Sequence, residues 1–140
     1  MARQAKDLFR INMTKKYHII IADRNPRIRD YLTRELSGED YQIFPVKTVD
    51  QLRTWIIHRY PLDLLVLDPC FMEDDAGKDL ENLLEQIPSV PVIFHCLPAD
   101  NPALKHQRLR PVFVEKSGTS VITLKQNIHS LLQSENKEIM

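Results

Sequence analysis

Five short apolar runs alternate with amphipathic stretches along the chain, and this alternation constrains the fold more than any other feature. The runs are YHIIIA (17–22), YQIFPV (41–46), LDLLVLD (62–68), VPVIFHC (90–96) and PVFVEK (111–116). They are short, largely continuous and rich in β-branched residues, the pattern of strands buried on both faces. The stretches between them carry helix signals. Asn25 is an N-cap and Pro26 sits at the first helical position, where its missing N–H costs nothing. Ile28, Tyr31, Leu32 and Leu36 then share one face, and Gly38 ends the segment. Thr48 to Gln51 has the form of a capping box, ahead of Val49, Leu52 and Ile56, with Trp55 packed beside that face. Leu80, Leu83, Leu84 and Ile87 mark a helix within 78–87. A weak, mobile one spans 102–108, and Val121, Leu124, Ile128 and Leu131 line a last one over 119–132.

Strict strand–helix alternation predicts an α/β domain, a parallel sheet with helices on both faces. Right-handed crossovers leave few topologies, and a five-stranded doubly wound sheet is the simplest. Pro45 cannot donate to a central ladder, so the second run belongs at an edge. The domain covers 17–132, with an N-terminal extension at 1–16 and a flexible tail at 133–140.

Charge and composition narrow the function. The chain has 140 residues, and its 19 basic and 19 acidic side chains cancel, so no bulk field draws it to nucleic acid or to a membrane surface. No apolar run approaches the ~18 residues of a membrane span. The first sixteen residues lack the apolar core of a secretory signal, so a cytoplasmic location is expected, with Cys70 and Cys96 as reduced thiols. With only three glycines there is no glycine-rich phosphate loop. His18, His58, His95, His106 and His129 show no zinc-ligand spacing. A redox pair of Cys70 with Cys96 has no C-x-x-C motif behind it.

The apolar run 62–68 stops at a carboxylate, Asp68. In doubly wound sheets, sites form at the carboxyl ends of the strands. Asp68 stands there on strand three, Asp23 on strand one, Cys96 on strand four and Lys116 on strand five. An Asp in that position can also simply cap the next turn. Two acids beside one lysine suit a carboxylate nucleophile that takes a phosphoryl group, with the amine neutralising the phosphoryl oxygens and a divalent metal bridging to the other acid.

The motifs IIIADRNP, PLDLLVLD, PVIFHCLPAD and VFVEK, in that order, resemble the receiver domain of two-component response regulators. The spacings fit as well: 45 residues from Asp23 to Asp68 and 48 from Asp68 to Lys116. The resemblance implies a flavodoxin-like (βα)5 sheet in the order 2-1-3-4-5. It implies that Asp68 is the phosphoacceptor, that Lys116 contacts the phosphoryl group, that Cys96 occupies the place of the switch Ser or Thr, and that Phe113 is the aromatic switch. A Mg²⁺ ion would be held by Asp23, Asp68 and the backbone carbonyl of Cys70. The implied partners are a histidine kinase or phosphotransfer protein and a downstream protein, and a homodimer is a further expectation. No catalytic or DNA-binding domain follows the last helix, so the expected product is a non-enzymatic, stand-alone module whose output passes through a partner.

Three residues depart from the pattern. Arg24 stands where the family carries its second acid, which removes an anionic metal ligand. Its guanidinium either pairs with Asp68 in place of a metal or points to solvent. A thiol at Cys96 is a weak hydrogen-bond donor. Ser117 replaces a proline that follows the lysine through a cis bond, so a trans, displaced loop is expected. Glu73, Asp74 and Asp75 form a solvated acidic loop or lend a metal ligand. These departures motivate a second expectation, a protein-binding module of the same fold that works without phosphorylation.

Overall fold

The computed structural model describes residues 16–71, 76–102 and 111–139. Nearly all of the weak helix expected at 102–108, the acidic loop 73–75 and nearly all of the N-terminal extension lie outside these residues. In chain order the elements are β1 (Tyr17–Ala22), α1 (Pro26–Leu36), β2 (Tyr41–Val46), α2 (Val49–Ile57), β3 (Leu64–Leu67), α3 (Ala76–Gln86), β4 (Val92–Cys96), a 3-10 turn (Pro98–Asp100), β5 (Val112–Glu115) and α4 (Ser120–Ile139). The strands form one parallel sheet in the order β2-β1-β3-β4-β5. β1 and β2 match the expected spans, and Pro45 lies on the edge strand.

Two apolar layers hold the helices to the sheet. Residues alternate between faces along each strand, so neighbours in sequence belong to different layers. Ile20, Leu65, Leu67, Phe94 and Cys96 pack with Leu52 of α2 and Leu80, Leu83 and Leu84 of α3. Ile19, Ile21, Leu64, Val66, Ile93 and Val114 pack with Leu32 and Leu36 of α1 and Leu124, Ile128 and Leu132 of α4. Burial on both faces is the reason the runs of β1, β3 and β4 lack polar alternation. The edge strands depart from that expectation and expose Pro45 on β2 and Phe113 and Glu115 on β5.

Helix boundaries follow local chemistry. Asn25 Oδ1 accepts from the Arg27 amide at 2.9 Å, and Thr48 with Gln51 forms the expected reciprocal capping box. Gly38 does not end α1 through a left-handed turn. The chain turns extended at Ser37, and no described glycine has positive φ. The central strands begin later than the runs suggest. Pro91 has no N–H to donate, although its carbonyl accepts from Leu65 at 3.0 Å, and β4 starts at Val92. At the other end, α4 continues to Ile139, past the expected stop at 132. No Gly or Pro interrupts 121–139, so nothing local breaks the helix. No helix among the described residues is long and apolar enough to cross a membrane.

Candidate functional site

β1 is the point where the winding direction reverses, since β2 lies on one side of it and β3 on the other. The crevice outside the carboxyl ends of β1 and β3 is where doubly wound sheets place ligands. Ala22 and Leu67 form the last pair of β1 and β3, and Cys96 and Glu115 the last pair of β4 and β5. Asp23, Asp68 and Lys116 are each the first residue beyond such a pair. Ladder-type bonds keep them there: the Asp68 amide donates to Ala22 O, and the Lys116 amide to Cys96 O, both at 2.9 Å.

Both aspartates are buried, and each divides its carboxylate in the same way. Asp23 Oδ1 accepts from the Asn25 amide at 2.9 Å, and Asp68 Oδ1 accepts from the Cys70 amide at 2.8 Å. These bonds fold each loop back on its own strand end. The second oxygen of each acid faces Lys116. Its Nζ lies 2.9 Å from Asp23 Oδ2 and also bonds Asp68 Oδ2. Asp68 therefore caps its turn through Oδ1 and presents Oδ2 to Lys116 at once.

The electrostatics follow from this arrangement. Burial pulls the proton affinity of Lys116 down, but hydrogen bonds and charges from Asp68 and Asp23 outweigh it and raise the amine above its ordinary value. Cys96 is buried at the end of β4. Burial, with Asp68 and Asp100 beside it, pushes its thiol up to about 11. Burial, Asp68 and Asp100 raise Cys70 as well. Both sulfurs are thus held as thiols at neutral pH, which disfavours a thiolate-driven redox pair.

Arg24 lies at the pocket's outer edge. Its guanidinium makes a long contact, 3.5 Å, with the Cys70 carbonyl, and Arg29 holds the Asp23 carbonyl at 2.7 Å. Arg24 thus contacts the very carbonyl expected to ligate Mg²⁺. The described donor set fits a divalent cation poorly. Both Oδ2 atoms face an ammonium, both Oδ1 atoms accept from amides, and the carbonyl faces a second cation. Among the described residues no group of three or more His, Cys, Asp or Glu side chains is arranged to hold a metal ion.

The remaining expectations divide. No described peptide bond is cis, so the Lys116–Ser117 bond is trans, yet the lysine still reaches both acids. Phe113 is 38% exposed on β5, paired with Phe94, on the outer strand of the sheet.

Sequence reasoning missed a second polar group behind the lysine. His95 on β4 is buried, and its Nε2 lies 2.9 Å from the Ser120 hydroxyl. That hydroxyl donates to the Ser117 carbonyl at 2.9 Å. The available signal was a histidine inside the otherwise apolar run VIFHC.

No family profile and no curated protein matches the sequence. Solved structures do match. The N-terminal domain of a response regulator/sensory box/GGDEF three-domain protein from Carboxydothermus hydrogenoformans superposes with a TM-score of 0.70 at 17% identity, over 88% of this chain and 99% of that one. The signal receiver domain of an HD domain-containing protein from Pseudomonas fluorescens gives 0.69 at 18%, over 89% and 92%. A two-component transcriptional regulator from Clostridium phytofermentans gives 0.60 at 22%, over 87% and 99%. The chain therefore has the flavodoxin-like fold of response-regulator receiver domains, with two aspartates and a lysine joined at the rim where that fold forms sites.

Proposed function

We propose that this protein is a cytoplasmic receiver module that takes a phosphoryl group on Asp68 from a histidine kinase or phosphotransfer protein and relays the change to a protein partner. The observation that carries this reading is the single ammonium of Lys116 bonded to both Asp23 and Asp68. In the reaction, an Asp68 oxygen attacks phosphorus while the bond from phosphorus to the donor's nitrogen or oxygen breaks. The leaving group keeps that electron pair and takes a proton from solvent. The product is an acyl phosphate.

Lys116 is already bonded to Asp68 Oδ2, next to where the new charge appears. It can pass from that oxygen to a phosphoryl oxygen without crossing the site. Asp23 keeps the other side of the ammonium and so holds it in place. Cys96, a protonated thiol, offers only a weak S–H donor to the phosphoryl group. Readout by the β4–β5 side is then expected to be softer than with a hydroxyl. Leu97 after β4, Phe113 on β5 and Ile122 on α4 are exposed apolar side chains, which suit a protein partner.

The contact of Arg24 with the Cys70 carbonyl favours a second reading. There Lys116 bridges the two acids permanently, Arg24 occupies the Cys70 carbonyl, and the module binds its partner without phosphorylation. Incubation with a small acyl phosphate or phosphoramidate, with and without Mg²⁺, followed by intact-mass measurement, separates the two. One added phosphoryl group that is absent from Asp68→Asn supports phosphoacceptance. An unmodified wild-type mass with either donor supports the second reading.

A further inference from the structure

His95 is a polar side chain in the core, 3% exposed, on the strand face that packs against α4 through Ile93. Its partner Ser120, the first residue of α4, is also buried. The direction of their hydrogen bond follows from proton counting. A hydroxyl has one proton, and that of Ser120 goes to the Ser117 carbonyl, which can only accept. Ser120 Oγ is then the acceptor from His95, so the imidazole carries its proton on Nε2. Nδ1 is left as the bare nitrogen, buried without a hydrogen-bond partner among the described residues. Burial, helped by the charge of Lys116 against the opposing pull of Asp68, keeps the ring neutral down to about 4.

This one-way chain ends on the carbonyl of the residue that follows Lys116. On the other side of Lys116, its own amide is held by the Cys96 carbonyl at 2.9 Å. Two consecutive residues of β4 therefore grip the lysine's backbone, Cys96 directly and His95 through Ser120. We propose that His95 and Ser120 are positioning residues that hold the turn after β5 so that the Lys116 amine bridges Asp23 and Asp68. The Ser120 amide also donates to the Ser117 carbonyl at 3.2 Å, and the Thr119 amide to Ser117 Oγ at 3.3 Å, but both bonds stay inside the turn. Among the described residues no ladder bond follows that of Lys116, so the hydroxyl–imidazole chain is what ties the turn back to β4. The proposal concerns the geometry of the amine and stands apart from whether Asp68 accepts a phosphoryl group.

The test reads that amine directly. Competitive acylation at fixed pH with an amine reagent, followed by peptide mapping, gives the rate at Lys116 relative to Lys125, an exposed lysine on α4. Ser120→Ala and His95→Leu each break the chain, whereas His95→Gln keeps an N–H donor. In the two breaking variants the Lys116/Lys125 ratio is expected to rise about tenfold, the equivalent of ~1.4 kcal/mol of lost restraint, while His95→Gln stays within about twofold of wild type. General loosening of the core would change thermal stability and leave the ratio unmoved. A wild-type ratio in folded Ser120→Ala overturns the proposal, as does a His95→Gln ratio as high as that of His95→Leu. Should His95→Leu fail to fold, Ser120→Ala decides alone.

Discussion

Lys116 Nζ lies 2.9 Å from Asp23 Oδ2 in a pocket where the Asp23 side chain is only 4% exposed. Asp68 shares the same ammonium, so two buried acids depend on one cation. Removing one partner of a buried ion pair is expensive because the other charge stays behind. Lys116→Met is expected to lose roughly 2–4 kcal/mol at neutral pH. In an Asp68→Asn background the same substitution costs less, because one of the stranded charges is gone. Urea denaturation of the four proteins in this double-mutant cycle reads the coupling directly.

Acid weakens the fold through His95. Its proton affinity is depressed from an ordinary 6.5 to about 4, by burial first and then by Lys116, against the opposing Asp68. The unfolded chain therefore takes up a proton that the folded one refuses. Stability from this group is full above about pH 6.5 and falls as pH drops toward 4, by at most about 3 kcal/mol. His95→Gln, which does not titrate, flattens that part of the profile. Melting curves of both proteins at pH 7 and 4.5 measure the difference. Lys116 acts at the other end of the scale. Its raised value means its contribution persists below the ordinary lysine range and is lost only as pH climbs through the folded value.

The two thiols differ in accessibility. Cys96 is 1% exposed and pushed up to about 11, whereas Cys70 is half-buried at the rim. Alkylation of the native protein at pH 8 is expected to modify Cys70 at least about tenfold faster than Cys96. Denaturant should equalise the two. Peptide-resolved mass spectrometry gives both rates.

Arg24 meets the carbonyl that a metal would need. Exchanging it for Asp replaces a cation with an anionic oxygen ligand beside Asp23. Arg24→Asp is expected to bind Mn²⁺ at least about tenfold more tightly than wild type and to gain thermal stability on its addition. Titration followed by electron paramagnetic resonance measures the affinities.

Much of this molecule was legible in its sequence because local signals and global fold agree. Runs such as YHIIIA have one place to go in an α/β domain, a sheet covered on both faces. Once the strands are placed, the positions of Asp23, Asp68 and Lys116 follow, since each is the first residue past its strand. Side-chain partners were less legible. Nothing in the order of residues says that Arg24 meets a carbonyl rather than the Asp68 carboxylate. A trans bond before Ser117 suggested a displaced turn. The hydrogen-bond chain through His95 and Ser120 links residues 25 apart, a distance that no local pattern encodes. The extent of α4 was misjudged for a different reason. The polar residues after 132 carry no apolar period, yet none of them stops a helix.

The central claim is that Asp68, rather than its neighbour Asp23, is the nucleophile. Borohydride reduces an acyl phosphate to an alcohol and so converts a phosphorylated aspartate to homoserine. The protein, treated with a small phosphodonor, reduced and mapped by tandem mass spectrometry, is expected to carry homoserine at position 68 and unchanged Asp at 23. Homoserine at 23, or at neither position, would contradict the account.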